Sequence, residues 1–106
     1  MFDKNKFKRL IQERIDNDNF IVAGDTTAWE NLTNFLSEDI VSSIAFLENE
    51  ATADEICWVS EVFDDIAAKT QSKDFVEALH RIHDKLPEEE RKSIESSIKF
   101  AELAIQ

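Results

Sequence analysis

The chain has 106 residues, a net charge of −11, eight Phe, and only one each of Gly, Pro and Cys. That length suits one domain with a single core burying roughly 65% of the unfolded surface. The 42% hydrophobic content argues against a disordered chain, the scarcity of Gly and Pro argues against an all-β fold, and a lone Cys cannot form an internal disulfide.

In chain order, a first helix is expected from about Lys4 to Asn17, with Phe7, Leu10, Ile11 and Ile15 on one face at helical spacing. The connector NDNFIVAGD holds the only Gly, and Phe20, Ile21 and Val22 are expected to plug the core from it. Thr27-Ala28-Trp29-Glu30 has the pattern of a capping box and opens a helix to Leu36, with Trp29, Leu32, Phe35 and Leu36 inward. Ser37 is the expected cap of a third helix, through about Glu48, with Ile40, Val41, Ile44 and Leu47 on its inner side. Thr52-Ala53-Asp54-Glu55 is a second capping-box pattern and starts a fourth helix. Ser72 is expected to cap the fifth, Lys73 to Lys85, with Phe75, Val76, Leu79, Ile82 and Leu86 apolar. Pro87 at a first helical position opens the last, striped by Ile94, Ile98, Ala101 and Ile105. The expected architecture is all-α, a single compact helical bundle of about six short helices spanning residues 1–106.

Charge is unevenly spread. Five bases (Lys4, Lys6, Lys8, Arg9, Arg14) lie within the first 14 residues, and from Ile15 to Ala68 there are thirteen acids and no Lys, Arg or His. This field repels nucleic acid and anionic membranes and attracts basic proteins. The N-terminal bases precede no long apolar run, and no window is long and apolar enough to span a bilayer. A cytoplasmic location is therefore expected, in keeping with the lone thiol.

The fourth helix carries the strongest functional signal. On a wheel of about 100° per residue, residues 53 to 68 place Ile56, Val59, Val62, Phe63, Ile66 and Ala67 on a broad core face. Trp58 falls roughly 110° from its centre, with Asp54 and Glu61 one turn away and Asp65 two turns along. An aromatic among charges has the composition of a binding hot spot. The candidate partner-binding residues are Trp58, Glu61 and Asp65 at the centre, with Asp54, Glu55 and Asp64 at the rim. The alternative is that Trp58 sits at the edge of the apolar stripe beside Val62 and packs against another helix.

Catalytic and cofactor motifs are weak. Glu77-Ala78-Leu79-His80 has the E-x-x-H spacing of di-iron bundles, but only one copy occurs, and it points away from the Phe75/Leu79/Ile82 face. His80 and His83 have no obvious third ligand, and no Ca-binding loop, P-loop or dinucleotide fingerprint is present. No catalytic residue, metal or cofactor is expected, and the chain reads as a non-enzyme.

The run from Trp58 to Phe75, WVSEVFDDIAAKTQSKDF, resembles the central segment of immunity proteins from bacterial contact-dependent growth inhibition (polymorphic toxin) systems. In that pattern an aromatic precedes a Ser-Glu-Val-Phe-acid-acid-Ile run, Lys-Thr-Gln-Ser follows, and an acid with Phe opens the next helix. The resemblance implies a cytosolic antitoxin that neutralises a cognate toxin domain, and a monomer when bound to toxin is the expected state. Such toxins are commonly nucleases of tRNA or DNA, and a nuclease must offer phosphate a basic cleft. A carboxylate ridge could then occupy that cleft and exclude the substrate. A competing expectation is an acidic helical adaptor or regulatory subunit, or a chain that self-associates by pairing its basic first helix with a second copy's acidic ridge.

Overall fold

Seven helices and no strand occur among residues 2–19 and 26–106, the part of the chain described in this computed structural model. They are α1 (Lys4–Asn19), α2 (Thr27–Glu38), α3 (Ile40–Asn49), α4 (Ala53–Ser60), α5 (Phe63–Thr70), α6 (Lys73–Lys85) and α7 (Glu88–Ala104). The expected plug of Phe20, Ile21 and Val22 lies outside the described residues.

The fold is organised around α5, which packs along α7 and also touches α2 and α6. α1 lies across α2 and α4, and α3 packs on α6. One continuous core results, including Phe7, Leu32, Leu36, Ile56, Val59, Phe63, Ile66, Phe75, Leu79 and Ile94. The radius of gyration of 12.9 Å is that of a compact fold of this length, about 13 Å for 100 residues. Phe2, which the helical pattern does not single out, stacks on Phe46 at 4.4 Å between ring centroids and meets Phe7 and Phe35. These rings close the end of the core where α1, α2 and α3 meet.

The expected fourth helix is two helices, which accounts for seven in place of about six. The Ser60 hydroxyl donates to the Cys57 carbonyl at 2.6 Å, and the Glu61 and Val62 amides turn to carbonyls three residues back. Side-chain bonding of this kind tightens and bends a helix. Val62, at φ −118° and ψ 12°, then starts α5 without a side-chain cap. The apolar face survives the break: Ile56, Val59, Val62, Phe63, Ile66 and Ala67 are all buried.

The caps divide along the same lines. At Thr52 both halves of the capping box form: Glu55 N–H donates to Thr52 Oγ1 at 3.1 Å, and Thr52 N–H to Glu55 Oε1 at 2.9 Å. Ser72 accepts from the Phe75 amide as expected. The box expected at Thr27 does not form, because α2 starts one residue earlier in phase: Thr26 is the cap position and its hydroxyl donates to Glu30 instead. Ser37 is not a cap either. α2 continues through it, its buried hydroxyl has no partner, and Asp39 caps α3 through the Ser42 amide. The inner side of α3 is consequently Ser43, Phe46 and Leu47, while Val41, expected inward, is 75% exposed. Pro87 is the residue before α7 and not its first helical position.

Candidate partner-binding surface

The basic first helix lies against the acidic middle of the same chain. Lys4 pairs with Glu50, Lys8 with Glu55 at 3.0 Å, and Arg14 with Glu61 at 2.6 Å. Glu55 closes its capping box and accepts from Lys8 with the same carboxylate. Burial raises the pKa of that group, but the Thr52 amide and Lys8 outweigh it, and the net result is below the usual glutamate value. Glu55 is thus part of the seam between α1 and α4, and only 9% exposed.

Arg14 is the centre of this seam. It is 4% exposed, and its Nε and Nη2 donate to the two Glu61 oxygens at 2.6 and 2.8 Å. Trp29 Nε1 donates to the same carboxylate at 3.1 Å. The guanidinium carbon lies 4.4 Å from the centroid of Trp29 and 5.3 Å from that of Trp58. Both tryptophans of the chain therefore face one buried cation, where cation–π attraction is strongest because water is excluded. Trp58 is partly buried, packed on the core and covered by Arg14.

Beside this node, α2 and α5 leave an open cleft of about 590 Å³ lined by Trp29, Glu30, Thr33, Asn34, Glu61 and Asp65. Lys69 donates to the Asn34 side chain at its margin. Asp64 and Asp65 occupy the first turn of α5, where the helix dipole favours negative charge. Neither forms an ion pair with any described residue. Desolvation, and then the neighbouring Asp64 charge, hold the Asp65 carboxyl above the usual aspartate value.

The structure therefore divides the six candidate residues. Glu61 and Asp65 share the cleft, with Asp64 adjoining Asp65 in sequence and in field. Glu55 is held in the α1 seam and Trp58 under Arg14. Asp54 lies in the first turn of α4, close enough to Cys57 that it and Glu90, after burial, raise the thiol's pKa. The single ridge from Asp54 to Asp65 does not exist, because the helical phase that defined it ends at Ser60.

Sequence reasoning missed Arg14, Trp29 and Glu30 as participants. A signal for Arg14 was present: it stands seven residues after Phe7 and so on the buried face of α1, where an unpaired base would be costly. Elsewhere, His80 pairs with Glu102 at 2.8 Å, and His83 bridges Asp84 and Glu95 at 3.2 and 3.0 Å. No group of three or more His, Cys, Asp and Glu suited to a metal occurs among the described residues. No helix among them is long and apolar enough to cross a membrane. In comparisons with known proteins, no family model, no curated protein and no solved structure matches the chain.

Proposed function

We propose that this chain is an immunity protein that binds a basic nuclease toxin through the α2–α5 face and neutralises it by occupying the surface that its nucleic acid would use. The observation that carries the reading is the unmatched charge at the cleft: Asp64 and Asp65 have no counter-ion among the described residues, whereas Glu50, Glu55 and Glu61 each have one. Carboxylates kept without partners repel one another in the free protein and are relieved by a basic surface. The proposed contacts are Asp64, Asp65, Glu61 and Glu30, with Asp54 at the periphery. Trp58 acts indirectly, by holding Arg14 and hence Glu61. Inhibition is occlusion, and this chain performs no covalent chemistry.

The test pairs the chain with the toxin domain encoded beside it. Expression of that domain should arrest growth, and co-expression of this chain should restore it and yield a co-purifying complex. The association rate should fall steeply with salt, since exposed charges are screened over about 8 Å at physiological ionic strength. Replacing Asp64 and Asp65 by Lys should abolish rescue. Arrest without rescue and without a complex would reject the immunity reading.

The alternative of self-association through the basic first helix loses its main support. Of the bases that would pair with a second copy, Lys4 and Lys8 are already paired with carboxylates of their own chain and Lys6 lies over the Phe35 ring at 5.4 Å, which leaves Arg9 without an ion pair among the described residues. An acidic adaptor for another basic protein would use the same α2–α5 face, and growth rescue distinguishes it from an antitoxin.

A further inference from the structure

We infer that the α2–α5 cleft is a receptor for one arginine side chain of the partner, whose guanidinium is held by Asp65 and Thr33 against the Trp29 wall. This deepens, and rests on, the reading that the partner is a basic protein.

Two independent observations meet at the cleft. The first is charge. Glu30, Glu61 and Asp65 contribute three carboxylates to its lining, while Arg14 at Glu61 and Lys69 at the margin supply two cations. Three minus two leaves one negative charge in excess; Glu61 has its ion pair with Arg14, while Glu30 and Asp65 have none among the described residues. The second is Thr33. It is only 8% exposed, lines the cleft, and its side chain makes no hydrogen bond with any described residue. A threonine in mid-helix ordinarily returns its hydroxyl to the carbonyl four residues back, as Thr70 does to Ile66 at 2.8 Å. The Thr33 hydroxyl, without a partner among the described residues and on a residue that lines the cleft, is open to a donor arriving there.

The segment that builds the cleft wall brings no cation to this place, and Lys69 at the margin is bonded to Asn34. Residues 15 to 68 contain no Lys or Arg, and residues 20–25, which precede the cleft wall at Thr26, read FIVAGD. Size and shape then select the visitor. About 590 Å³ lies within the 300–1,000 Å³ or so typical of ligand clefts. A guanidinium has five donors in a flat fork, is weakly hydrated and stacks on indole, whereas an ammonium is a compact, strongly hydrated point charge. Arg14 shows the geometry on the same residues: a guanidinium over Trp29 with its donors on Glu61. The visiting arginine would repeat it on Asp65, across the break between α4 and α5.

The test uses the full-length chain and Nα-acetyl-arginine amide as probe, followed by NMR of the Trp29 indole N–H and the Thr33 and Asp65 amides. The expected result is a saturable shift at these three sites, of about millimolar affinity as befits a single side chain. Nα-acetyl-lysine amide should bind about tenfold more weakly. Asp65→Asn and Thr33→Val should each weaken the arginine probe by about tenfold or somewhat less, with spectra otherwise those of the folded protein. Shifts that stay linear, that map elsewhere, that are equal for both probes, or that persist in both variants would overturn the inference. So would a shift that emerges only when residues 20–25 are replaced by a Gly-Ser linker, which assigns the cleft to the chain's own segment.

Failure here is separable from failure of the immunity reading. Should the neighbouring toxin be neutralised equally well by wild type, Asp65→Asn and Thr33→Val, the arginine receptor is rejected while immunity stands. Should the probe bind as expected but no toxin be neutralised, the receptor stands and the immunity reading falls.

Discussion

Two acidic regions of this molecule, cut from the same baseless stretch of sequence, have opposite fates. Along the α1–α4 seam, Glu50, Glu55 and Glu61 are each met by a base of α1. At the start of α5, Asp64 and Asp65 have no such base. Only two residues separate Glu61 from Asp64, but the helix breaks between them, and the break turns one carboxylate toward Arg14 and frees the others. Acidity as a total is thus a poor guide to a binding face. What matters is which carboxylates the fold has already satisfied.

The sharpest way to break this comparison is at Arg14. Arg14→Met should destabilise the protein by about 2–3 kcal/mol in urea unfolding, because it removes both guanidinium donors from the Glu61 carboxylate, leaving it only the Trp29 indole, and leaves two indoles without their cation. The value is below that of a fully buried pair since the Glu61 side chain is 33% exposed and can rehydrate. Adding Glu61→Gln should recover part of the loss. If Arg14→Met were neutral, the seam would be no more structural than the cleft.

Next in size is the cap. Thr52→Ala should cost about 1 kcal/mol by removing the acceptor for the Glu55 amide. Its effect belongs to the seam alone, and partner binding should be unchanged at temperatures where the variant is folded.

The cleft should respond in the opposite sense. Asp65→Asn is expected to raise the thermal midpoint slightly at neutral pH. The carboxyl's folded pKa lies above 3.8, so its ionisation opposes folding above that folded value, and the penalty fades as pH falls through it toward 3.8. The gain from Asp65→Asn should therefore vanish in acid. A stability loss at neutral pH would mean that Asp65 has an unrecognised structural partner.

The smallest effect lies away from both regions. Asp84 and then Glu95 raise the His83 pKa above 6.5. Its contribution to stability is fully present below about pH 6.5 and is lost as pH rises through the folded value. His83→Gln should flatten that slope without touching the cleft or the seam.

Much of the fold can be read in the sequence, and the reasons are local. The Thr52 and Ser72 caps, and the faces of α6 and α7, depend on residues within one or two turns of each other. The inner faces of α4 and α5 are also legible, even though the helix breaks between them, because the bend keeps Val59, Val62, Phe63 and Ile66 pointing into one core. What could not be read depends on long-range partners. By pattern Thr27, with Glu30 three residues on, is a better cap than Thr26, and Ser37 is as good a cap residue as Asp39, yet α2 starts after Thr26 and α3 after Asp39. The break at Ser60 comes with a hydroxyl–carbonyl bond and with Glu61 drawn to Arg14, 47 residues away. For that reason the wheel grouped Trp58 with Asp65, and the molecule instead grouped it with Trp29.

That grouping has a spectroscopic consequence. The chain contains two Trp and no Tyr, so its near-ultraviolet emission comes from two indoles that flank one guanidinium on α1. Intrinsic fluorescence consequently follows the docking of the N-terminal helix, whereas helical circular dichroism averages over every helix of the chain. Should α1 leave before the rest melts, the two signals will have separate midpoints, and the emission curve will be the earlier.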